Sequence, residues 1–249
     1  MMDDKKLIFV DKEVPLLVPK RILIFAPHPD DEILSAGGTI LKYRNLGSDI
    51  TIVIATRGSG GYKNIKAKEK IIEERMREVN HLSNQLDCKI ISLKYDKLPI
   101  DRKRISKITN LIRDEKPQVI LSPHFDDTHR IHRNLSLIVK ESIYHAASGE
   151  AYGGEGKIFR PFAVYLYESP SYKFQYSEQK VFTIVDIEDY WEKKKELFLE
   201  IYKSQTRVLT QILGWAEHIA KIRGYEINSK YGEAFIPDTT YCPLKLVLK

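Results

Sequence analysis

Arg21-Ile-Leu-Ile-Phe-Ala26 runs directly into Pro27-His-Pro-Asp-Asp-Glu32, and from Asp31 a helical pattern continues to Leu46, where Gly47 closes it. Behind Arg21 the next five residues are apolar and include the β-branched Ile22 and Ile24, which reads as a buried strand; the acidic residues behind them suit a helix N-terminus. Working outward, the same alternation recurs. Asp49 to Thr56 is a second strand, and Ile72, Met76, Val79, Leu82 and Leu86 share one face of a helix. Lys89 to Leu93 is a third strand, Ile105, Ile108, Leu111 and Ile112 face inward from a further helix, Val119 to Ser122 is a fourth strand, and Asn134 to Ala147 is again helical. Strand and helix repeated in this way predict an α/β fold, a Rossmann-like three-layer αβα structure with a mostly parallel sheet and right-handed crossovers. Ligands of such sheets bind beyond the carboxyl ends of the strands. The two unusual polar clusters of the chain, after Ala26 and after Ser122, fall at those ends.

Beyond residue 150 come a Gly-rich loop (Tyr152 to Gly156), two strands (Phe162 to Glu168 and Val181 to Ile187) and two helices (Asp189 to Ser204 and Val208 to Arg223). With no linker or repeat to mark a boundary, this is expected to be a C-terminal extension, 151–249, of a single domain spanning 1–249 whose core covers about 20–150.

Composition narrows the function classes. The 249 residues are 43% hydrophobic, and the mean hydropathy is −0.34. The longest apolar runs, Ile22 to Ala26 and Phe162 to Tyr167, fall far short of the roughly 20 residues that cross a bilayer. No signal-peptide core follows Met1-Met2-Asp3-Asp4, so no membrane span and a cytoplasmic location are expected. Only Cys88 and Cys242 are present, which excludes a disulfide framework and leaves a cysteine-based zinc site short of ligands. A metal must then be held by His and carboxylates. The 40 Lys plus Arg exceed the 34 Asp plus Glu by six, but they are interspersed with acids, as in Lys66-Ala-Lys-Glu-Lys70. They read as solvated helix faces, and no nucleic-acid partner is expected.

The first cluster, His28-Pro-Asp30-Asp31-Glu32, puts one imidazole and three carboxylates between a strand end and a helix. Helix capping accounts for two acids, but three beside a His repel one another and call for a counter-charge, most simply a divalent cation. His28 and Asp31 would offer a nitrogen and an oxygen, leaving Asp30 free to act on a water at the metal. The second cluster, His124-Phe-Asp126-Asp127-Thr-His129-Arg-Ile-His132-Arg, carries three His and two Asp at another strand end. His, Asp and His drawn from two loops would give three protein ligands and one open position, as a catalytic zinc requires.

Pro27-His28-Pro29-Asp30-Asp31-Glu32 is similar to the Ala/Pro-His-Pro-Asp-Asp-Glu signature of the LmbE/PIG-L superfamily, zinc-dependent de-N-acetylases of N-acetylglucosamine-containing small molecules. Asp127-Thr-His129-Arg-Ile-His132-Arg resembles its Asp-x-His-x-Asp-His-Arg motif, Arg75-Met-Arg-Glu78 its Arg-x-x-Glu helix, and Tyr231-Gly-Glu-Ala-Phe235 its terminal Tyr-Ala-Glu-Ala-Phe. The resemblance implies that His28, Asp31 and His132 bind Zn2+, another divalent metal being admitted by the same donors. It further implies that Asp30 is the general base, that His129 stabilises the oxyanion, and that Asp96 contacts the sugar. Arg75 is expected to meet an anionic group of the substrate or to brace the site. The expected partner is a small N-acetylated amino sugar, and the family also admits a homo-oligomer. One position departs from the pattern: Ile131 stands where the family has an Asp paired with the oxyanion His. Asp126 or Asp127 from the preceding turn is expected to substitute.

This assignment makes chemical sense by itself. An acetamide is a poor electrophile, so its hydrolysis needs an activated water, stabilisation of the tetrahedral oxygen and a proton for the departing amine. The alternative is a metal- or sugar-binding protein on the same scaffold with little hydrolytic activity, which Ile131 motivates. A nucleotide-binding oxidoreductase is disfavoured, because Arg57-Gly-Ser-Gly-Gly61 lacks both the dinucleotide and the phosphate-loop spacing and reads instead as a lid.

Overall fold

The computed structural model describes residues 18–58, 68–148, 156–174 and 183–240. Most of the Gly-rich loop from Tyr152, the end of the segment Arg57–Gly61, the predicted strand start at Val181 and Cys242 lie outside the described residues. Strands β1 (Arg21–Ala26), β2 (Asp49–Thr56), β3 (Lys89–Tyr95), β4 (Val119–Pro123), β5 (Ala163–Tyr167), β6 (Thr183–Asp186) and β7 (Gly232–Pro237) form one sheet in the order β3-β2-β1-β4-β5-β7-β6. β1 pairs in parallel with both β2 and β4, and β4 in parallel with β5. β7 alone runs against its neighbours, β5 and β6. Chain order reverses between β1 and β4, which opens a crevice at their carboxyl ends.

Helices α1 (Asp31–Asn45), α2 (Lys68–Leu86), α3 (Arg102–Glu115), α4 (Arg130–Ser148), α5 (Trp191–Ile201) and α6 (Thr206–Tyr225) cover the two faces. The period-2 alternation of a strand divides the core between them. Ile22, Ile24 and Ala26 of β1 pack with residues of α1, α2, α5 and α6, whereas Leu23 and Phe25 pack with residues of α3 and α4. The three-layer arrangement follows from that division. Among the described residues no helix is long and apolar enough to cross a membrane.

Three features go beyond the local pattern. α4 starts at Arg130, four residues before the predicted Asn134, so His132 sits in its first turn. β7 is a strand that the sequence pattern does not single out. α1 breaks at Ala36 (φ −142, ψ 17); the carboxylate of Glu233 on β7 accepts the N–H groups of Gly38 (2.9 Å) and Thr39 (2.8 Å) beyond the break. Buried Lys194 of α5 balances that carboxylate at 2.8 Å and donates to the Leu34 carbonyl at 2.9 Å. The terminal Tyr-Gly-Glu-Ala-Phe motif thus earns a structural reading, since its Glu caps the second half of α1.

Candidate metal centre at the switch point

β1 ends at Ala26, and the Pro27 carbonyl is held by the N–H (3.0 Å) and hydroxyl (2.9 Å) of Thr56 at the end of β2. The chain then turns through His28 to Asp30, which takes the left-handed value φ +117. Asp30 is the N-cap of α1 by its carbonyl, which accepts from Ile33 and Leu34 at 3.1 and 3.0 Å. Its carboxylate makes no capping bond, so the capping explanation of this acid does not hold. Its N–H donates to Glu32 Oε2 at 3.2 Å. Glu32 is fully buried, and Tyr202, which follows α5, donates its hydroxyl to Oε1. Burial pushes the Glu32 carboxyl up to about 8; the Tyr202 hydrogen bond opposes this and the neighbouring Asp30 charge adds to it.

Asp31 is the meeting point of the two clusters. Its Oδ2 lies 3.0 Å from His28 Nδ1 and 3.3 Å from His132 Nε2, and also accepts the His28 N–H at 3.0 Å. The pairing of β1 with β4 brings these donors together, because residues 104 positions apart in sequence stand at adjacent strand ends. Burial raises the Asp31 carboxyl, yet His132 and His28 together hold it far below the ordinary carboxylate range. Burial disfavours a charged His132, but the Asp31 charge and the hydrogen bond to Asp127 drive it up to about 10. The rings of His28, His129 and His132 gather with centroids 4.8 to 5.3 Å apart, and one ring nitrogen from each lies within 4.8 Å of the others. His129 is exposed, and burial of its inner edge together with the His132 and His28 charges lowers its pKa.

The donor set fits a zinc-like dication. Around such an ion, bonds of about 2.0–2.2 Å in tetrahedral array separate ligand atoms by roughly 3.3 Å, close to the two spacings at Asp31 Oδ2. Two imidazole nitrogens, which are borderline donors, and one carboxylate oxygen, a hard one, make a set that zinc accepts.

The remaining expected residues are placed differently. Asp96 is exposed at the end of β3, and Arg57 grips its carboxylate with Nε (3.0 Å) and Nη2. Arg75 of α2 donates to the Gly58 carbonyl. A Cβ on Gly58 (φ +62) would come 2.9 Å from Pro29 Cδ, so Arg75 holds a loop that lies against the first motif. Glu78, one turn on, accepts the N–H and hydroxyl of Ser204 at 2.7 Å each. The expected substitution for Ile131 is not realised. Asp127 accepts the backbone N–H of His129 at 2.8 Å, Asp126 is exposed near His124, and among the described residues no carboxylate bonds the His129 ring. Ile131 packs against the α3/α4 core.

The molecule is therefore an α/β protein of the doubly wound type with an imidazole–carboxylate centre at its switch point. Residues 23–143 match the family model described as PIG-L, GlcNAc-PI de-N-acetylase, so this stretch carries a PIG-L (LmbE) family domain. A diacetylchitobiose deacetylase of Thermococcus kodakarensis is 32% identical over 134 residues, 51% of this chain and 50% of that relative, so the matched stretch spans about half the relative's length. In three dimensions the chain resembles the N,N'-diacetylchitobiose deacetylase of Pyrococcus horikoshii (TM-score 0.77, 25% identity, 88% of this chain and 84% of that one). It also resembles GalB, the 4-carboxy-2-hydroxymuconate hydratase of Pseudomonas putida (TM-score 0.75, 19% identity, 92% and 98% covered). The latter likeness concerns the fold alone, and function has to be argued from the site.

Proposed function

We propose that this chain is a zinc-dependent amide hydrolase that removes the N-acetyl group from an N-acetylglucosamine-containing small molecule, releasing acetate and the free amine. The observation that carries the reading is the convergence of His28 Nδ1 and His132 Nε2 on Asp31 Oδ2 at the ends of β1 and β4. His28, Asp31 and His132 would hold the zinc, which when bound supplies Lewis acidity and an activated water. Asp30, whose carboxylate is not spent on capping, takes a proton from the attacking water as its oxygen bonds to the acetyl carbon. The same proton passes to the amine nitrogen as the C–N bond breaks, so Asp30 ends ionised as it began. His129, with its pKa lowered, donates a neutral N–H to the developing oxyanion. Asp96, oriented by Arg57, meets sugar hydroxyls, and Arg75 holds the loop at Gly58 beside the first motif. The substrates for which the relatives are named favour a small N-acetylated sugar as the partner.

That no carboxylate among the described residues hydrogen-bonds the His129 ring favours a second reading, a metal- or sugar-binding protein with little turnover. The two are separated by acetate release from N-acetylglucosamine, diacetylchitobiose and a conjugated N-acetylglucosamine. Wild type and Asp30→Asn are compared after metal stripping and after zinc is restored. Zinc-dependent release that Asp30→Asn abolishes supports hydrolysis. Stoichiometric zinc without release from any substrate overturns it in favour of binding.

A further inference from the structure

Asp127 has no exposed surface, yet its carboxylate accepts four hydrogen bonds. Oδ1 accepts from the His129 N–H (2.8 Å) and the Ser171 hydroxyl (2.7 Å); Oδ2 accepts from His132 Nδ1 (2.9 Å) and the Ser169 hydroxyl (2.5 Å). Two of these donors belong to the candidate centre. The other two come from the segment after β5, outside the family-matched stretch. Ser169 is itself fixed: its N–H and carbonyl bond reciprocally with those of Tyr172 at 3.0 Å. The preceding Glu168 is gripped by buried Arg223 of α6 at 2.9 and 2.6 Å. A continuous chain of contacts therefore runs from α6 through Glu168 and Ser169 to Asp127 and ends on His132.

We propose that Asp127 is a positioning residue for this centre and that Ser169 and Ser171 are the donors that aim it. By accepting from His132 Nδ1 it keeps a proton on that nitrogen and turns Nε2 toward Asp31, and by accepting the His129 N–H it fixes where that imidazole begins. A carboxylate behind a ligating imidazole sets its tautomer and raises its basicity, and loss of such a partner weakens metal binding by about 10- to 100-fold. Asp127 therefore serves His132 and the main chain of His129; it does not restore the carboxylate that Ile131 removes from the His129 ring. The inference rests on the metal-centre reading above.

The test is zinc affinity by chelator competition in the full chain, for wild type, Asp127→Asn and the double variant Ser169→Ala/Ser171→Ala. Histidine-labelled nitrogen NMR reports the protonated nitrogen of His132 in the zinc-loaded protein, and thermal midpoints of the metal-free proteins report the fold. The expected result is a 10- to 100-fold weaker affinity for Asp127→Asn and a several-fold loss for the double variant, with the Nδ1–H signal of His132 shifted in both. If Asp127→Asn does not fold, the serine variant, which keeps the carboxylate, decides. Affinities within twofold of wild type and an unchanged His132 signal, even with lowered midpoints, overturn the proposal and make the network merely structural. Wild type that takes up no zinc overturns the metal reading and this inference together, a pattern distinct from equal affinities. Acetate release is not read, so a failure of the deacetylase reaction alone leaves a separate signature.

Discussion

Asp30 holds φ +117, a region that costs a non-glycine residue about 1–3 kcal/mol. It also stands beside the raised Glu32 carboxyl, whose pKa its charge helps to push up. Both penalties come from a residue whose carboxylate makes no cap hydrogen bond, which is the pattern expected of a side chain kept for chemistry. Asp30→Gly relieves both. The expected outcome is a thermal midpoint equal to or above that of wild type, together with a loss of acetate release of at least about 100-fold, the lower end for a general base. A midpoint well below wild type would show that the strain argument is wrong. Glu32 gives a prediction in pH. Its folded pKa near 8 exceeds the ordinary 4.5, so the folded state keeps a proton that the unfolded chain has released. Its contribution is full below about pH 4.5 and is lost as pH rises through 8. Urea unfolding of the metal-free protein at pH 5.5 and 7.5 should show wild type losing on the order of 2 kcal/mol more than Glu32→Gln over that interval. Equal slopes in the two proteins would place the Glu32 proton elsewhere.

At the scale of elements, the reading of β1 and β2 from sequence coincides with Arg21–Ala26 and Asp49–Thr56, because alternation over a buried strand is a local signal. The break in α1 was not legible in the same way. In residues 31 to 46 only Gly37-Gly38 marks a weak point in the helical pattern, and the group that caps the part beyond the break, Glu233 on β7, lies 195 positions from Gly38. β7 is as long as β1, but Gly232 and Glu233 shorten its apolar run and its partners are β5 and β6, so no local pattern announces it. The site shows the same division: the donor-bearing residues at two strand ends can be listed from the sequence, whereas their meeting at one oxygen depends on which strands pair. The buried Lys194–Glu233 pair is the element-scale test. Glu233→Ala leaves Lys194 buried without its partner and two helix N–H groups uncapped, and should cost about 3–5 kcal/mol in urea unfolding. Replacing both residues with apolar ones, as in Lys194→Met/Glu233→Leu, should recover part of the loss, since no isolated charge remains. If the double variant is as unstable as the sum of its singles, the capping of Gly38 and Thr39 outweighs the charge pairing.

The whole molecule places its donors and their supports in different parts of the chain. His28, Asp30, Asp31, His129 and His132 all lie within the matched stretch 23–143. Groups that brace their neighbours come from later: Ser169 on Asp127, Lys194 on the Leu34 carbonyl, Tyr202 on Glu32 and Glu233 on Gly38 and Thr39. β5, β6 and β7 extend the same sheet beyond β4, and α5 and α6 share a core cluster with α1. A chain cut after Ser148 would keep every proposed zinc ligand but expose the β4 edge and strip α1 of its cover. The sheet edge and the bared apolar face both favour association over folding. We therefore predict that residues 1–148 bind zinc at least 100-fold more weakly than the full chain and lack its cooperative thermal transition. The full chain should melt in one transition by calorimetry, with calorimetric and van't Hoff enthalpies equal, as for a single cooperative unit. Two separated transitions, or a truncated chain that binds zinc as the full one does, would show that the extension is an independent body and that the braces at Tyr202, Ser169 and Glu233 are dispensable to the centre.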